Sequence, residues 1–430
     1  MSNAAFTRLP GFRDFVPEDL AVRSHIFEAW RRVSRRYGFQ EYDGPPLETL
    51  ELYVEKSGEE IVSQLYNFTD KGDREVSLRP EMTPSLARIL ADRSRALPKP
   101  IRWFSIPQLF RYERQQRGRL REHFQWNVDV VGESEVGADA EILAVALDAL
   151  RELGLGPEAI RARVSDRRLL SALLQTAGVP EDRLLAAYAV IDKVEREPPE
   201  KTLERLQDEA GVTPAQAGEI LALFQNPGLD RVADRFGDQE AVAAEVERLR
   251  DYFSILEAME LGDFVEFDLT IVRGLAYYTG IVFEIFDRAG ELRAICGGGR
   301  YDRLLERVGG ESLPAVGFGM GDVVLTELLR ERALLPDLGR ELDYFVVSVG
   351  DEARRRALQL AHRLREQGAR VAYSLRGQGV RKQFKSAESE GAREVIVLGP
   401  EELSQGIARV RDMTSGEERE VQLEELERGP

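Results

Sequence analysis

Apolar residues recur along the chain with two periods, which distinguish helical from extended segments. In residues 17–38 they are three and four positions apart, so one side of a helix is apolar while arginines occupy the other. The segment FQWNVDVV (124–131) alternates instead, which places Gln125, Asn127 and Asp129 in a row on one face of a strand. Such a row either faces water or lines a binding pocket.

The order of these elements predicts four segments. Strand-like runs in residues 1–165 and 259–335 indicate the two halves of one sheet-based domain. Residues 166–258 are rich in good helix formers with helical periodicity, so we expect a helical insertion there. After a linker at 335–339, residues 340–430 alternate as β-α-β-α-β, which predicts a small α/β domain with parallel strands.

The charge balance is acidic, but positive charge is concentrated in two places. The 430 residues include 59 Lys and Arg against 76 Asp and Glu, a net charge of −17. Residues 102–121 contain six arginines and one acid, and residues 351–393 contain eleven basic residues against five acidic ones. Such stretches are either solvated surface or contacts for an anionic partner such as RNA.

The lengths of apolar runs and the number of cysteines indicate the compartment in which the protein works. No apolar run approaches the roughly 20 residues of a membrane-spanning helix. The single cysteine, Cys296, excludes an internal disulfide and a cysteine-rich zinc site. We therefore expect a protein of a reducing compartment, most simply the cytoplasm, that does not enter a membrane.

Arginines and carboxylates at strand ends are the first candidates for chemistry. The sequence has no GxxxxGK[ST] loop and only three histidines, which disfavours a P-loop ATPase, a zinc enzyme and a histidine-based hydrolase. Arg111 ends a strand and begins an arginine-rich loop, a pattern suited to a nucleotide polyphosphate. Glu113 could accept a hydrogen bond from an exocyclic amine such as that of adenine. An ordinary surface hairpin with ion pairs explains these residues equally well.

Two further motifs could bind an amino acid. Glu81 lies between two prolines in LRPEMTPS, where its carboxylate could hold an ammonium group or cap a helix. RGLAYYTG combines a fixed cation, Arg273, with Tyr277 and Tyr278. These tyrosines could wall a pocket for a small planar ligand, although tyrosine in strands commonly serves packing alone.

The motifs together resemble one family. LRPEMT (78–83), FRYERQQRGRLREHFQWNVDVVGE (110–133), VRGLAYYTG (272–280) and CGGGRYDRL (296–304) resemble the histidyl-tRNA synthetases. GFGMGD (317–322) and the alanine within RGLAYY are similar to the group that includes plant organellar enzymes. The resemblance extends over nearly the whole chain.

The resemblance implies an α+β fold and a two-step reaction. The expected fold is a class II synthetase-like antiparallel sheet with flanking helices, a helical insertion and a C-terminal α/β anticodon-binding-type domain. Residues 1–165 and 259–335 would form the catalytic domain. The implied activity is ATP-dependent ligation of L-histidine to tRNA(His), with Mg²⁺ accompanying ATP as substrate, no prosthetic group and no named metal ligands. A homodimer is expected.

By position, the resemblance also implies roles for individual residues. Arg273 and Arg111 would be catalytic, because each places a guanidinium at the α-phosphate while the adenylate forms. Arg111 would in addition hold the histidine carboxylate. The residues implied to bind histidine are Glu81, Met82, Thr83, Arg111, Gln125, Asp129, Arg273, Tyr277, Tyr278 and Tyr301. Those implied to bind ATP are Arg111, Glu113 and Arg119.

The sequence departs from the family pattern at three positions. Asp129 stands where many members have glutamate, and Ala276 stands where aspartate is frequent. Val324 occupies the place of an arginine that usually covers ATP, so the nucleotide lacks one expected cation. Arg303 and Arg307 are the first candidates to replace it.

Two other functions compete with the ligase interpretation. A synthetase-like regulatory subunit of ATP phosphoribosyltransferase would bind histidine without aminoacylation, and the valine at position 324 favours it. RGLAYY, GGGRYD and a complete, partly basic last domain count against it, because that paralogue generally lacks the anticodon module. Another class II synthetase would need a different amino-acid pocket.

Overall fold

The computed structural model describes residues 6–57, 59–114, 116–225, 228–272, 277–290, 292–336 and 342–428. The chain divides into two compact units, Met1–Leu335 and Pro336–Pro430. None of the described helices is both long enough and apolar enough to cross a membrane.

The first unit contains twelve α-helices, four short 3-10 helices and twelve strands within its described residues. Its helices are α1 (Pro17–Arg36), α2 (Leu50–Ser57), α3 (Thr83–Arg93), α4 (Val136–Glu152), α5 (Arg167–Thr176), α6 (Leu184–Ile191), α7 (Pro199–Ala210), α8 (Pro214–Gln225), α9 (Leu229–Phe236), α10 (Glu240–Ala258), α11 (Leu304–Arg307) and α12 (Asp322–Glu331). Its strands are β1 (Gln40–Glu41), β2 (Leu47–Thr49), β3 (Asn67–Thr69), β4 (Glu75–Leu78), β5 (Ile101–Ser105), β6 (Gln108–Phe110), β7 (Glu122–Val131), β8 (Ile160–Asp166), β9 (Val265–Phe267), β10 (Ile281–Asp287), β11 (Cys296–Arg300) and β12 (Ala315–Gly321).

One large sheet organises this unit. Its strand order is β1-β5-β7-β12-β11-β10-β8-β9, and β6 pairs separately with β7. The edge pairs β1–β5 and β8–β9 are parallel, and every pairing between them is antiparallel. The predicted α+β class with an antiparallel sheet is therefore confirmed. A second sheet, β2-β4-β3, contains a hairpin that turns at Lys71–Asp73.

The apolar face of β7 confirms the alternation found in the sequence. Trp126, Val128 and Val130 are buried. Trp126 stacks on Trp30 of α1 with ring centroids 5.7 Å apart, and its indole N–H donates to the Ser34 hydroxyl at 3.1 Å. The opposite face of β7 is thereby turned away from this core, which leaves its polar row available for a site.

The chain leaves the large sheet after β8 and returns to it at β9. Helices α5 to α10 lie between these two strands in the sequence. β8 and β9 then pair in parallel, with Ala162 opposite Val265. The finer division of the chain at residues 166–258 stays a prediction.

The second unit confirms the β-α-β-α-β prediction and extends it. Its elements are β13 (Leu342–Ser348), α13 (Asp351–Glu366), β14 (Val371–Tyr373), α14 (Val380–Ser389), β15 (Ala392–Leu398), α15 (Pro400–Gln405), β16 (Ile407–Asp412), β17 (Glu418–Gln422) and α16 (Leu423–Arg428). β14, β13 and β15 are parallel, whereas β16 and β17 add an antiparallel hairpin that the sequence analysis did not predict. Most of the predicted linker lies outside the described residues.

Candidate active site

The floor of the site consists of glycines on β12, the strand paired with β7, and on β11 beyond it. β12 pairs with β7 so that Gly317 lies opposite Asp129. A Cβ atom at Gly317 would lie 2.1 Å from Asp129 Oδ1, and one at Gly319 would lie 2.7 Å from Gln125 Cδ. The glycines therefore give the polar side chains of β7 the space to lie flat over the sheet.

A small cavity of about 150 Å³ lies above this floor. Its walls are mainly polar and come from the turn before α3, from β7, from the 277–278 segment and from the end of β11. The lining residues are Glu81, Thr83, Arg111, Gln125, Asn127, Asp129, Tyr277, Tyr278, Gly297, Tyr301, Gly317, Phe318 and Gly319. Eight of the ten residues that were predicted to bind histidine are thus brought together.

The other two predicted residues have different outcomes. Met82 is fully buried and contributes no wall to the cavity; its sulfur lies 3.9 Å from a guanidinium nitrogen of Arg79. Arg273, the predicted catalytic arginine, lies outside the described residues, as does Ala276.

A buried tyrosine and carboxylate pair forms the deepest polar feature of this cavity. Tyr301 donates its hydroxyl hydrogen to Oδ1 of Asp129, and both residues are at least nine-tenths buried. Burial first, and then the nearby Asp129 carboxylate, raise the pKa of Tyr301 well above its ordinary value. Tyr301 therefore stays protonated and remains a donor. Tyr277 packs against it edge-on, with centroids 6.0 Å apart, and against Tyr278 at 4.2 Å.

The turn that carries Glu81 is held by two arginines. Arg79 is buried and donates to backbone carbonyls of Gly44 at 2.7 Å and Gln108 at 3.0 Å. Arg111 donates from Nε to the carbonyl of Pro80 at 3.1 Å. The N-cap position of α3 is occupied by the residue after Glu81, so Glu81 does not cap that helix. Arg111 and Glu81 are consequently held beside each other at the cavity wall.

A larger cavity of about 290 Å³ adjoins the first. The two share Arg111, Gln125, Gly297 and Gly319. The lining residues of the larger cavity are Arg111, Glu113, Gly118, Arg119, Leu120, His123, Gln125, Arg293, Ala294, Ile295, Cys296, Gly297, Gly319, Gly321, Val323 and Val324. All three residues that were predicted to bind ATP are among them.

The arginines of the loop after β6 have different partners, and only some of them line a cavity. Arg119 lines the larger cavity and is paired with Glu113, at 2.9 Å from Nη2 to Oε1. Arg121 covers the ring of Tyr112 at 4.3 Å, and Arg117 is paired with glutamates of α12. The ion pairs of an ordinary hairpin are therefore present, but Arg111 and Arg119 also face a cavity.

His123 is a lining residue that the sequence analysis missed. Burial is the main reason, followed by the nearby Arg111, Arg13 and Arg119, that the pKa of His123 falls from 6.5 to about 3. The imidazole is therefore neutral in the folded protein above that pH. His123 precedes Gln125 by two residues on β7, so the alternation that exposed the polar row already placed it on the same face.

Two buried arginine networks hold the strands that carry the site. Arg13 donates to Glu122 of β7 at 2.6 Å and to Asp322 of α12 at 2.9 Å, and the Phe124 amide donates to the other oxygen of Asp322. Arg300 pairs with a buried aspartate of α4 and donates to the carbonyl of residue 133. In GGGRYD the arginine is therefore structural, and the following tyrosine faces the cavity.

The cation missing at position 324 is not supplied by either residue first considered. Val324 lines the larger cavity, whereas Arg303, just before α11, and Arg307, the last residue of α11, are not among the residues that line it. Arg293 does line it. Among the described residues no group of three or more His, Cys, Asp or Glu side chains could hold a metal ion.

Comparison with known proteins identifies the family. A histidyl-tRNA synthetase family model matches residues 11–322, and an anticodon binding domain model matches residues 343–429. The histidine–tRNA ligase of Opitutus terrae is 42% identical over 426 residues, which cover 99% of this chain and 98% of that protein. The chloroplastic/mitochondrial histidine–tRNA ligase of Arabidopsis thaliana is 42% identical over 97% of this chain and 85% of that protein.

Solved structures agree with this result. Histidyl-tRNA synthetase from Nostoc sp. PCC 7120 superposes with a TM-score of 0.83 at 25% identity, covering 98% of this chain and 99% of that one. A Bacillus halodurans protein described as an ATP phosphoribosyltransferase regulatory subunit/histidyl-tRNA synthetase shares the fold, with a TM-score of 0.75 at 24% identity over 92% of this chain and 98% of that one. The resemblance found in the motifs is thereby confirmed: the chain belongs to the histidyl-tRNA synthetase family.

Proposed function

We propose that this protein is a histidine–tRNA ligase. It would activate L-histidine with ATP to histidyl-adenylate and then transfer the histidyl group to the 3′ end of tRNA(His). The observation that carries the proposal is the pair of adjoining cavities that share Arg111, since an amino acid and a nucleotide must meet at the α-phosphate. Family membership supports the same function.

In the first step a carboxylate oxygen of histidine attacks the α-phosphorus of ATP. The new bond joins that oxygen to phosphorus, the bond to the β-phosphate bridge breaks, and pyrophosphate leaves with Mg²⁺, which enters as part of the nucleotide substrate. This chemistry needs alignment and positive charge rather than a protein nucleophile. Arg111, between the two cavities, would bind both the carboxylate and the α-phosphate. By resemblance Arg273 adds a second cation.

The smaller cavity would select histidine by its two ends. Glu81 and Thr83 would bind the α-ammonium group, while Asp129, oriented by Tyr301, would accept a hydrogen bond from an imidazole N–H. Gln125 extends along the same strand face, and Tyr277 and Tyr278 would enclose the ring. Buried polar groups discriminate strongly against side chains that leave them unpaired. Asp129 is shorter than glutamate, and the glycine floor lets it lie close to the sheet.

The larger cavity would hold ATP. Glu113 would accept from the adenine amine and Arg119 would approach the phosphates, so nucleotide binding would have to loosen the ion pair that now joins them. In the second step a terminal ribose hydroxyl of tRNA attacks the histidyl carbonyl carbon, and AMP leaves. The anticodon-binding unit and its basic stretch 351–393 would bind tRNA(His) through its phosphates and unpaired bases.

We also propose a cytoplasmic homodimer as the working form. The single buried cysteine fits a reducing compartment. The family relation to an organellar enzyme makes an organelle the alternative compartment.

A second candidate, a regulatory subunit of ATP phosphoribosyltransferase, is favoured by Val324 alone. Such a subunit would bind histidine without using ATP to activate it. The match to an anticodon binding domain over residues 343–429 counts against it, because a protein that never meets tRNA has no use for that domain.

Exchange of labelled pyrophosphate into ATP separates the two candidates. We expect exchange that depends on histidine and is lost in Arg111→Ala, while Arg114→Ala, in the same loop but outside both cavities, keeps it. Arg273→Ala should also abolish exchange and leave histidine binding largely intact. Histidine binding by the unaltered protein without any exchange would favour the regulatory subunit.

Removal of residues 340–430 tests the role of the second unit. We expect tRNA charging to fall far more than pyrophosphate exchange, because adenylate formation uses residues of the first unit. Equal loss of both activities would mean that the second unit supports the fold of the first rather than tRNA binding.

A further inference from the structure

Two loops meet at the open side of the larger cavity. One is the hairpin loop after β6, and the other connects β10 with β11 and carries Arg293. The Arg293 guanidinium donates to the side-chain oxygen of Gln116 in the hairpin loop. A Cβ atom at Gly118 would lie 4.0 Å from Cδ of Arg293 and 3.1 Å from a methyl carbon of Val324. Arg293 therefore reaches the same place in the cavity that Val324 occupies.

Two of the arginines in the hairpin loop beside this part of the larger cavity are already paired with acidic residues. Arg119 is paired with Glu113, and Arg117 is paired with acids of α12. Arg111 lies at the junction with the smaller cavity, where the α-phosphate is expected. The β- and γ-phosphates of ATP carry most of the nucleotide charge and would extend past these groups. Of the three arginines that line the larger cavity in the described part of the chain, Arg293 is the one whose side chain lies with Val324 beside Gly118.

We infer that Arg293 binds the β- and γ-phosphates of ATP, in place of the arginine that the family usually has at position 324. The inference rests on the proposed ligase function and deepens it. Gln116 offers a neutral acceptor, whereas a phosphate oxygen is a charged one and binds a guanidinium more strongly. Arg293 is exposed, so its side chain can exchange Gln116 for phosphate when ATP enters. The connection between β10 and β11 would thus contact the phosphates through Arg293 when ATP is bound.

Steady-state pyrophosphate exchange with the full-length protein tests this inference. We expect Arg293→Gln to raise the KM for ATP about 10- to 100-fold, the value of one charge-assisted hydrogen bond, with the KM for histidine within about twofold of the original. Arg293→Lys should give an intermediate KM, because lysine keeps the charge but loses the fork of donors. Arg288→Gln is the matched control: it removes an exposed arginine from the same connection, outside the nucleotide cavity, and should change neither constant.

Two further measurements show which part of the nucleotide Arg293 contacts. Inhibition by AMP should be unchanged in Arg293→Gln, because AMP lacks the β- and γ-phosphates. Adding Val324→Arg to Arg293→Gln should recover most of the lost ATP affinity, since both positions reach the same place.

An unchanged KM for ATP in Arg293→Gln overturns the inference, as does an equal weakening of ATP and AMP. If Arg293→Gln is poorly folded by tryptophan fluorescence, the lysine variant decides: an ATP KM equal to that of the original protein, or a parallel change for AMP, counts against the inference. Absence of histidine-dependent exchange in the unaltered protein would instead refute the proposed function, so the two failures are distinguishable.

Discussion

The neutral state of His123 gives the structure a measurable sensitivity to acid. Its pKa is about 3 in the folded protein against 6.5 ordinarily, because the half-buried ring is largely removed from water and lies near arginines. Below about pH 6.5 the unfolded chain therefore binds a proton that the folded chain does not. Acid stabilises the unfolded state, and stability falls as pH decreases from about 6.5 towards 3.

The size of this effect follows from the two pKa values. At pH 7 an unfolded histidine is mostly neutral, and at pH 5 it is almost fully protonated, while the folded one stays neutral at both. Proton linkage then makes His123 responsible for a loss of about 2 kcal/mol in unfolding free energy between pH 7 and pH 5. His123→Gln, which cannot titrate, should lack this part of the loss.

Urea unfolding followed by tryptophan fluorescence measures this loss in the free energy of unfolding between pH 7 and pH 5. All three tryptophans, Trp30, Trp103 and Trp126, lie in the first unit, so the signal reports the unit that contains His123. The matched control is His25→Gln on α1, which should keep the acid sensitivity of the unaltered protein. If His123→Gln loses as much stability between pH 7 and pH 5 as the control, or if NMR shows the His123 ring protonating near pH 6.5, the folded protein does not keep this imidazole neutral.

Three substitutions test other parts of the site. Gly317→Ala would set a Cβ atom against the Asp129 carboxylate and 2.6 Å from the Val128 carbonyl oxygen, and in a variant whose tryptophan fluorescence matches the original protein we expect the KM for histidine in pyrophosphate exchange to rise about 100-fold while the KM for ATP changes far less; similar changes in both constants would contradict this. Tyr301→Phe removes the donor to Asp129 and should weaken histidine binding about tenfold or more, the value of a hydrogen bond to a charged group, as calorimetry can measure. Arg13→Met leaves two buried carboxylates unpaired and should destabilise the first unit by about 3–5 kcal/mol in urea unfolding, and a loss below about 1 kcal/mol would disprove a structural role.

Local patterns predicted most of the sheet of the first unit and part of the smaller cavity. Alternation in β7 placed Gln125 and Asp129 on one face, because the side-chain period of a strand leaves no other arrangement. Glu81 was a candidate for an ammonium group because of its turn between two prolines, whereas the role of Tyr301 came from the resemblance alone. Their side chains lie in segments far apart in sequence, and only the strand order of the sheet brings them together.

The residues that sequence analysis missed depend on tertiary neighbours. Arg293 follows β10 in a connection whose sequence shows nothing unusual, and its relation to Val324 exists only because β11 and β12 are adjacent in the sheet. The β16–β17 hairpin was missed because its strands are largely polar and pair at the edge of a small sheet. Met82 was included by its position in a motif, whereas its side chain packs into the core.

We propose that the two adjoining cavities hold one histidyl-adenylate, with Arg111 where its two halves join. A crystal structure of the protein with a non-hydrolysable histidyl-adenylate analogue tests this most directly. We predict the imidazole within hydrogen-bond distance of Asp129, the ammonium group at Glu81, the adenine at Glu113, and the Arg111 guanidinium on the bridging phosphate group. An analogue bound elsewhere, or one whose imidazole lies in the larger cavity beside His123, would mean that the two cavities do not form one adenylate site.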